Sequence, residues 1–153
     1  MQVPKFLKIC FTDGVSFLYI LLLVYAGFSK ILDYQKFHVQ LGLSPLLTAF
    51  SGWIAWVIPS LELFTAVLLI FPKLRSIALY ACFSLMAMFT TYIITILHFS
   101  EFIPCSCGGI LQNMTWSTHL KFNIFFILLA AVAILLSPNR IIHQKFWPNS
   151  ESE

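Results

Sequence analysis

The chain has 153 residues, of which 59% are hydrophobic and 10% are charged, and its formal net charge at pH 7 is +3. A soluble domain carries roughly 25% charged residues, so this composition excludes a protein whose whole surface faces water. The basic residues are few and dispersed, which argues against a partner made of nucleic acid. The length suits a single domain, and we predict one integral membrane domain over residues 1–153.

Four apolar segments are each long enough to cross a lipid bilayer, which takes roughly 20 residues of helix. Their predicted bounds are 11–32, 50–71, 76–97 and 118–136, and a polar tail follows at 140–153. Lys5 and Lys8 precede the first segment, as in a signal peptide, but no small-x-small cleavage site follows it. The sequence therefore predicts an all-α bundle of four transmembrane helices whose first helix is not cleaved.

The connection after the first span contains a short amphipathic stretch. Phe37 and Leu41 stand four residues apart, on one face of a helix, with polar residues between them. Gly42 and Pro45 follow and are typical of the end of a helix. We predict a short helix here that lies at the membrane interface.

The distribution of Lys and Arg predicts the orientation of the bundle. One side carries six basic residues, Lys5, Lys8, Lys73, Arg75, Arg140 and Lys145, and the other carries three, Lys30, Lys36 and Lys121. The more basic side of a membrane protein stays in the cytoplasm. Both termini are therefore predicted to be cytoplasmic, and the connection over residues 98–117 is predicted to face the periplasm or an equivalent oxidising space.

That connection carries two cysteines one residue apart, Cys105 and Cys107, followed by Gly108 and Gly109. A disulfide between them requires Cα atoms about 4.4–6.8 Å apart, so the chain has to bend between the two thiols. The glycines tolerate the backbone angles of a bent loop. A strained disulfide exchanges readily, which favours redox chemistry over a structural crosslink. Metal binding, pairing with a partner chain and an inert pair remain alternatives.

Three polar or aromatic residues share one face at the start of the fourth span. Trp116, His119 and Asn123 are spaced by three and four residues. His98 ends the third span on the same side of the membrane. The positive end of a helix dipole favours a neutral imidazole, which can accept a proton from a thiol. His119 is therefore a candidate base beside the cysteine loop. The alternatives are an interfacial anchor and, with both cysteines and both histidines, a zinc or copper site.

Glu62 lies near the middle of the second span, three residues after Pro59. An ionisable residue at this depth is rare and marks a candidate functional site. A lone buried carboxylate is costly, so we expect Glu62 to be protonated or hydrogen-bonded. Lys30 is the obvious partner, but it stands near the outer end of the first span, and we predict that it reaches outward to water. Packing of Glu62 against another polar neighbour is the alternative.

These motifs resemble those of the MauE/DoxX family, a group of small, four-helix, redox-associated membrane proteins. The first span ends in Ala26-Gly27-Phe28-Ser29-Lys30, similar to the glycine-x-x-lysine signature of the family, and Asp33 and Phe37 follow. The second span carries Pro59-Ser60-Leu61-Glu62, similar to its proline-x-x-glutamate signature. The cysteine–glycine motif before the last helix is the most specific part of the resemblance, which covers most of the chain.

The resemblance implies an uncleaved bundle in a bacterial inner membrane that takes part in periplasmic thiol–disulfide chemistry. The implied partners are membrane lipid, a thioredoxin-like or client protein and other membrane subunits. One of the two thiols would attack, the other would resolve, and His119 would assist. The supporting residues would be Gly108, Gly109, Trp116, Asn123, His98, Glu62 and Lys30. A quinone is a candidate cofactor, because relatives of the DoxX type are linked to quinone-dependent sulfur oxidation, and no metal is expected.

Two other classes of protein remain open at this point. The chain could be a non-catalytic accessory subunit that docks onto and stabilises a larger membrane complex, with structural cysteines. It could also be a small-solute transporter with Glu62 as the coupling site, although the sequence lacks the internal repeat that many transporters show.

Overall fold

A computed structural model of the chain describes residues 4–43, 47–99 and 115–137. These residues form an all-α fold with helices α1 (Lys5–Leu32), α2 (Tyr34–Leu43), α3 (Ser51–Ile70), α4 (Arg75–Phe99) and α5 (Trp116–Leu136), and a 3₁₀ turn at Thr48–Phe50 precedes α3. The cysteine–glycine motif and the polar tail lie outside the described residues.

The four long helices are apolar enough to cross a membrane, over Phe6–Leu32, Thr48–Ile70, Arg75–His98 and Trp116–Leu136. Three of the predicted spans agree with these bounds to within two residues, and the first helix begins earlier than predicted. No proline or glycine occurs between Pro4 and Phe11. Helix α1 therefore begins at Lys5, although the predicted apolar run begins only at Phe11.

The predicted short helix after the first span is confirmed as α2. Phe37 and Leu41 are buried on the face that packs against Ala55 and Ile58 of α3. This contact fixes α2 against the first turns of α3, because two apolar side chains one turn apart bury a continuous stripe. The position of α2 at a membrane interface stays a prediction.

The tightly packed core occupies the half of the bundle in which α3 ends and α4 begins. Tyr19, Leu69 and Leu79 are fully buried there, together with the thiol of Cys82. The Tyr19 hydroxyl donates a hydrogen bond to the backbone carbonyl of Phe126, at 2.6 Å, and so joins α1 to α5. Alanines at the contacts, Ala66, Ala78, Ala130 and Ala133, let the helices approach closely, as small residues do in membrane bundles.

Polar contacts tie the helices together at this same end of the bundle. The Arg75 guanidinium at the start of α4 pairs with the Asp13 carboxylate of α1. The Ser76 and Ser137 hydroxyls lie 3.2 Å apart and join the start of α4 to the end of α5. The opposite end, where α1 and α4 finish and α3 and α5 start, is packed more loosely and holds the polar residues described below.

Helices α1 and α3 lie close together at Gly27. A Cβ atom on this glycine would lie 2.9 Å from Cγ of Leu63 and 3.4 Å from the backbone carbonyl oxygen of Pro59. A side chain at this position would require Leu63 to move, and the close approach leaves Lys30, one turn further on, beside α3.

We expect Gly27→Val to destabilise the protein by about 1–3 kcal/mol, because the added methyl groups force α1 away from α3. Gly14→Val is the matched control on the same helix, since nothing lies within 4 Å of a Cβ at that position. Thermal unfolding in detergent measures both variants. Equal stability of the two would show that the close crossing at Gly27 contributes nothing.

Candidate functional site

Lys30 and Glu62 form a direct ion pair between α1 and α3. The Lys30 ammonium nitrogen lies 2.7 Å from Oε1 and 3.0 Å from Oε2 of Glu62. The Glu62 side chain is 1% exposed and that of Lys30 is 13% exposed, so the pair lies inside the bundle. The prediction that Lys30 reaches outward to water was therefore wrong. Glu62 is hydrogen-bonded, as expected, and its partner is Lys30.

The direction of side chains on a helix explains this contact. Every Cα–Cβ bond tilts toward the N-terminus of its own helix. Lys30 stands near the C-terminal end of α1, so its side chain points back into the bundle, and its Nζ atom also lies 3.4 Å from the carbonyl oxygen of Ala26. Glu62 belongs to an antiparallel helix and points the opposite way, so the two side chains close the distance between their Cα atoms.

Two aromatic rings complete the surroundings of the ammonium group. The Lys30 nitrogen lies 6.0 Å from the ring centroid of Phe37 in α2 and 5.7 Å from that of Phe89 in α4. Rings at this distance attract a cation, and they also exclude water from it. The charge of Lys30 is thus held by groups from three neighbouring helices.

The ion pair lies in the wall of a cavity of about 340 Å³. All five helices contribute to its lining, which is mainly aliphatic and aromatic. The charged, imidazole and amide side chains in the lining are Lys30, Glu62, His119 and Asn123. The cavity lies between the pair formed by α1 and α3 and the pair formed by α4 and α5, which are the two most extensively packed pairs of helices.

The polar face of α5 lines the same cavity. Thr115 precedes α5, and its hydroxyl accepts a hydrogen bond from the backbone N–H of Thr118, at 3.4 Å, so the first turn is capped. The rings of Trp116 and His119 stack with their centroids 6.5 Å apart, and Asn123 follows one turn below His119. Trp116, His119 and Asn123 all line the cavity, and their role beside the thiols stays a prediction.

Two polar atoms on this face have no hydrogen-bond partner among the residues that the structure describes. They are Nδ1 of His119 and Nδ2 of Asn123, and both atoms are buried. Buried donors and acceptors in proteins are nearly always paired. Both residues line the cavity, and these two atoms are hydrogen-bonding capacity that the described part of the chain does not use.

The other predicted site residues are not brought to this cavity. His98 is exposed near the end of α4 and does not line it. Cys105, Cys107, Gly108 and Gly109 lie outside the described residues. The segment that carries them joins the end of α4 to the start of α5, and both of those helix ends belong to the cavity end of the bundle.

Sequence reasoning missed the apolar residues that shape the site. Phe89, Met86 and Met88 of α4 line the cavity, and Phe89 also faces Lys30. They stand in a continuous apolar run, where hydropathy does not separate a cavity wall from a lipid-facing surface. Their spacing on one side of α4 was the only available signal, and it is equally typical of a packed core.

Comparison with known proteins identifies the family. The sequence matches the family described as methylamine utilisation protein MauE over residues 7–136, which takes in all four long helices and the cysteine–glycine motif. No curated protein and no solved structure matches the chain. The match bears out the resemblance inferred from the motifs around Lys30, Glu62 and the cysteines, and the chain belongs to the MauE family.

Proposed function

We propose that this protein is a multi-pass membrane protein that exchanges thiols and disulfides through Cys105 and Cys107. In this proposal both termini lie in the cytoplasm of a bacterium, and the cysteine segment faces the periplasm. Family membership supports the proposal at the level of a membrane protein associated with methylamine utilisation, and a client in that process is the natural substrate.

The observation that carries the proposal is the meeting of polar groups at one end of the bundle. His119 and Asn123 of α5 and the Lys30–Glu62 pair line one cavity. The segment that carries the cysteines joins the C-terminus of α4 to the N-terminus of α5, and both of these helix termini lie at that end of the bundle. An imidazole near two thiols is the arrangement that activates a thiol for exchange, because the thiolate is the nucleophile.

The exchange itself balances without any further reactant. A client dithiol attacks the Cys105–Cys107 disulfide and forms a mixed disulfide, which the second client thiol resolves. The client loses two electrons and two protons and becomes a disulfide, while Cys105 and Cys107 become thiols. The same steps run in reverse when the client arrives as a disulfide.

Thiol labelling in spheroplasts tests both the side of the membrane and the redox state. A membrane-impermeant maleimide should label Cys105 and Cys107 weakly before reduction and strongly after a mild reductant, because the pair is a disulfide in part of the population. Cys10 is exposed on the first turns of α1, at the other end of the bundle, and should react only with a permeant reagent. Cys105→Ser or Cys107→Ser should accumulate a mixed disulfide with a partner.

Cys10→Ser is the matched control and should leave the labelling of the pair and its partner unchanged. Labelling of Cys10 alone by the impermeant reagent would overturn the orientation. A pair that stays fully reduced in cells would overturn the redox role. Assembly of a membrane complex that fails without the cysteines, with no mixed disulfide, would favour an accessory subunit instead.

A further inference from the structure

We propose that the cavity binds a lipid-soluble molecule whose polar end carries a hydrogen-bond-accepting carbonyl group, and that this ligand enters sideways from the bilayer between α3 and α4. The inference goes beyond thiol–disulfide exchange and stands without it, since it rests on residues of the bundle and not on the cysteine segment.

The first observation is an unsatisfied amide in the cavity wall. Asn123 is 3% exposed, and its Nδ2 atom has no hydrogen-bond partner among the described residues. An amide nitrogen carries two donor hydrogens, and the described part of the chain offers those of Asn123 no acceptor. A carbonyl oxygen of a ligand is the acceptor that this position lacks.

A second unpartnered atom lies one helical turn away. Nδ1 of His119 is buried without a partner among the described residues and belongs to the same wall. A neutral imidazole nitrogen either donates or accepts a hydrogen bond, according to its tautomer. The two groups, spaced by four residues on one face of α5, can therefore hold the polar end of one ligand together.

The rest of the cavity fits an apolar body. Phe37, Phe89, Met86 and Phe122 are among its lining residues. The volume of about 340 Å³ lies within the usual range for sites that take small molecules, roughly 300–1,000 Å³. A ring, or the first part of an acyl chain, matches this space, whereas a strongly hydrated solute would leave most of the lining without favourable contacts.

The opening of the cavity follows from residues that line it and are also exposed. Val57 and Leu61 of α3 are each 44% exposed, and Met88 of α4 is 46% exposed. All three lie in helices that are long and apolar enough to cross a membrane, so hydrocarbon is expected to surround them. The geometry therefore indicates a lateral entrance between α3 and α4, through which a molecule dissolved in the membrane reaches the polar wall of α5.

Two kinds of membrane molecule share this chemistry. A quinone presents ring carbonyls on an apolar body, and a phospholipid presents ester carbonyls at the head of its acyl chains. Both place an acceptor at the end of a lipid-soluble skeleton, and the experiment separates them.

The binding test uses the full chain in nanodiscs of phosphatidylcholine and phosphatidylglycerol with a decyl-substituted benzoquinone as the probe. Binding is read from quenching of tryptophan fluorescence, because Trp116 lines the cavity, and from the mass of the complex by native mass spectrometry. We expect Asn123→Leu to weaken binding about tenfold, the effect of losing hydrogen bonds in a dry site. His119→Phe, which keeps a ring in place, should also weaken it.

Thr90→Val is the matched control for removing a buried polar group. Thr90 is buried in α4, its hydroxyl bonds to the carbonyl of Met86 at 2.8 Å, and it does not line the cavity. This variant should bind the quinone as the unmodified protein does. Circular dichroism confirms that all variants remain helical.

A second pair of variants tests the entrance. Val57→Trp places a large ring at the lateral opening and should slow association of the quinone at least tenfold. Val67→Trp makes the same change on a part of α3 that is 49% exposed and does not line the cavity, so association should be unchanged.

Each outcome decides the proposal. Quinone binding that Asn123→Leu weakens supports the site with a quinone as its ligand. A phospholipid that stays bound after detergent washing, and is lost from Asn123→Leu, supports the site with an acyl ester as its ligand. Absence of both molecules overturns the proposal, and so does binding by Asn123→Leu and His119→Phe that is as tight as binding by the unmodified protein. Equal association rates for Val57→Trp and Val67→Trp overturn the lateral entrance.

Discussion

Replacing Glu62 by alanine is expected to lower the free energy of unfolding by about 3–5 kcal/mol, because it leaves the buried Lys30 ammonium without its counter-charge. Glu62→Lys should be worse, since it puts two ammonium groups in one apolar site. Glu62→Gln should be tolerated best, because the amide oxygen still accepts a hydrogen bond from Lys30. Unfolding in detergent, followed by circular dichroism, measures the series.

Two controls sharpen this prediction. Asp13→Ala breaks the other ion pair, with Arg75, but the Asp13 side chain is 51% exposed, so the loss should be below about 1 kcal/mol. The double variant Lys30→Met/Glu62→Leu replaces the buried pair with apolar side chains of similar size and should recover most of the stability. A double variant no more stable than Glu62→Ala would contradict this account of the pair.

The Glu62→Gln variant also separates structure from chemistry. Normal protein levels and normal thiol exchange would assign the Glu62 carboxylate to holding Lys30 in the cavity wall. Loss of activity at normal protein levels would instead assign it to proton coupling, because the amide keeps the hydrogen bond and cannot carry the proton.

His119→Ala should slow thiol exchange by about 10²-fold or more, the usual contribution of a positioned acid–base group. The rate should recover partly as the pH rises, because the thiolate then forms without a neighbouring base. Stability should change little, since the His119 ring is partly exposed and its buried nitrogen makes no hydrogen bond among the described residues. Stopped-flow reduction of the Cys105–Cys107 disulfide by a small dithiol measures the rate.

His98→Ala is the control at the same end of the bundle, because His98 is exposed and does not line the cavity. It should leave the exchange rate unchanged. His119→Gln keeps a hydrogen-bonding group without a base, so full activity of this variant would assign His119 to positioning. Equal rates for His119→Ala and the unmodified protein would make it an anchor of the helix end.

Local patterns in the chain were sufficient to predict much of this architecture. Long apolar runs located, to within a few residues, the four helices that are long and apolar enough to cross a membrane. The spacing of Phe37 and Leu41 predicted the buried face of α2, and the spacing of Trp116, His119 and Asn123 predicted their common face. In each case the deciding pattern is the length or the periodicity of one helix, and both are properties of the sequence.

The contacts between helices were decided by the tertiary structure alone. Lys30 was expected to face water, yet the close crossing at Gly27 and the opposed tilt of side chains on antiparallel helices bring it to Glu62. The cavity could not be predicted from the sequence either, because a lipid-facing surface, a packed core and a cavity wall all consist of apolar residues. Phe89 is compatible with each of these three environments. Hydropathy indicates that a side chain is kept from water, whereas only the packing of one helix against another determines whether it contacts lipid, other side chains or a cavity.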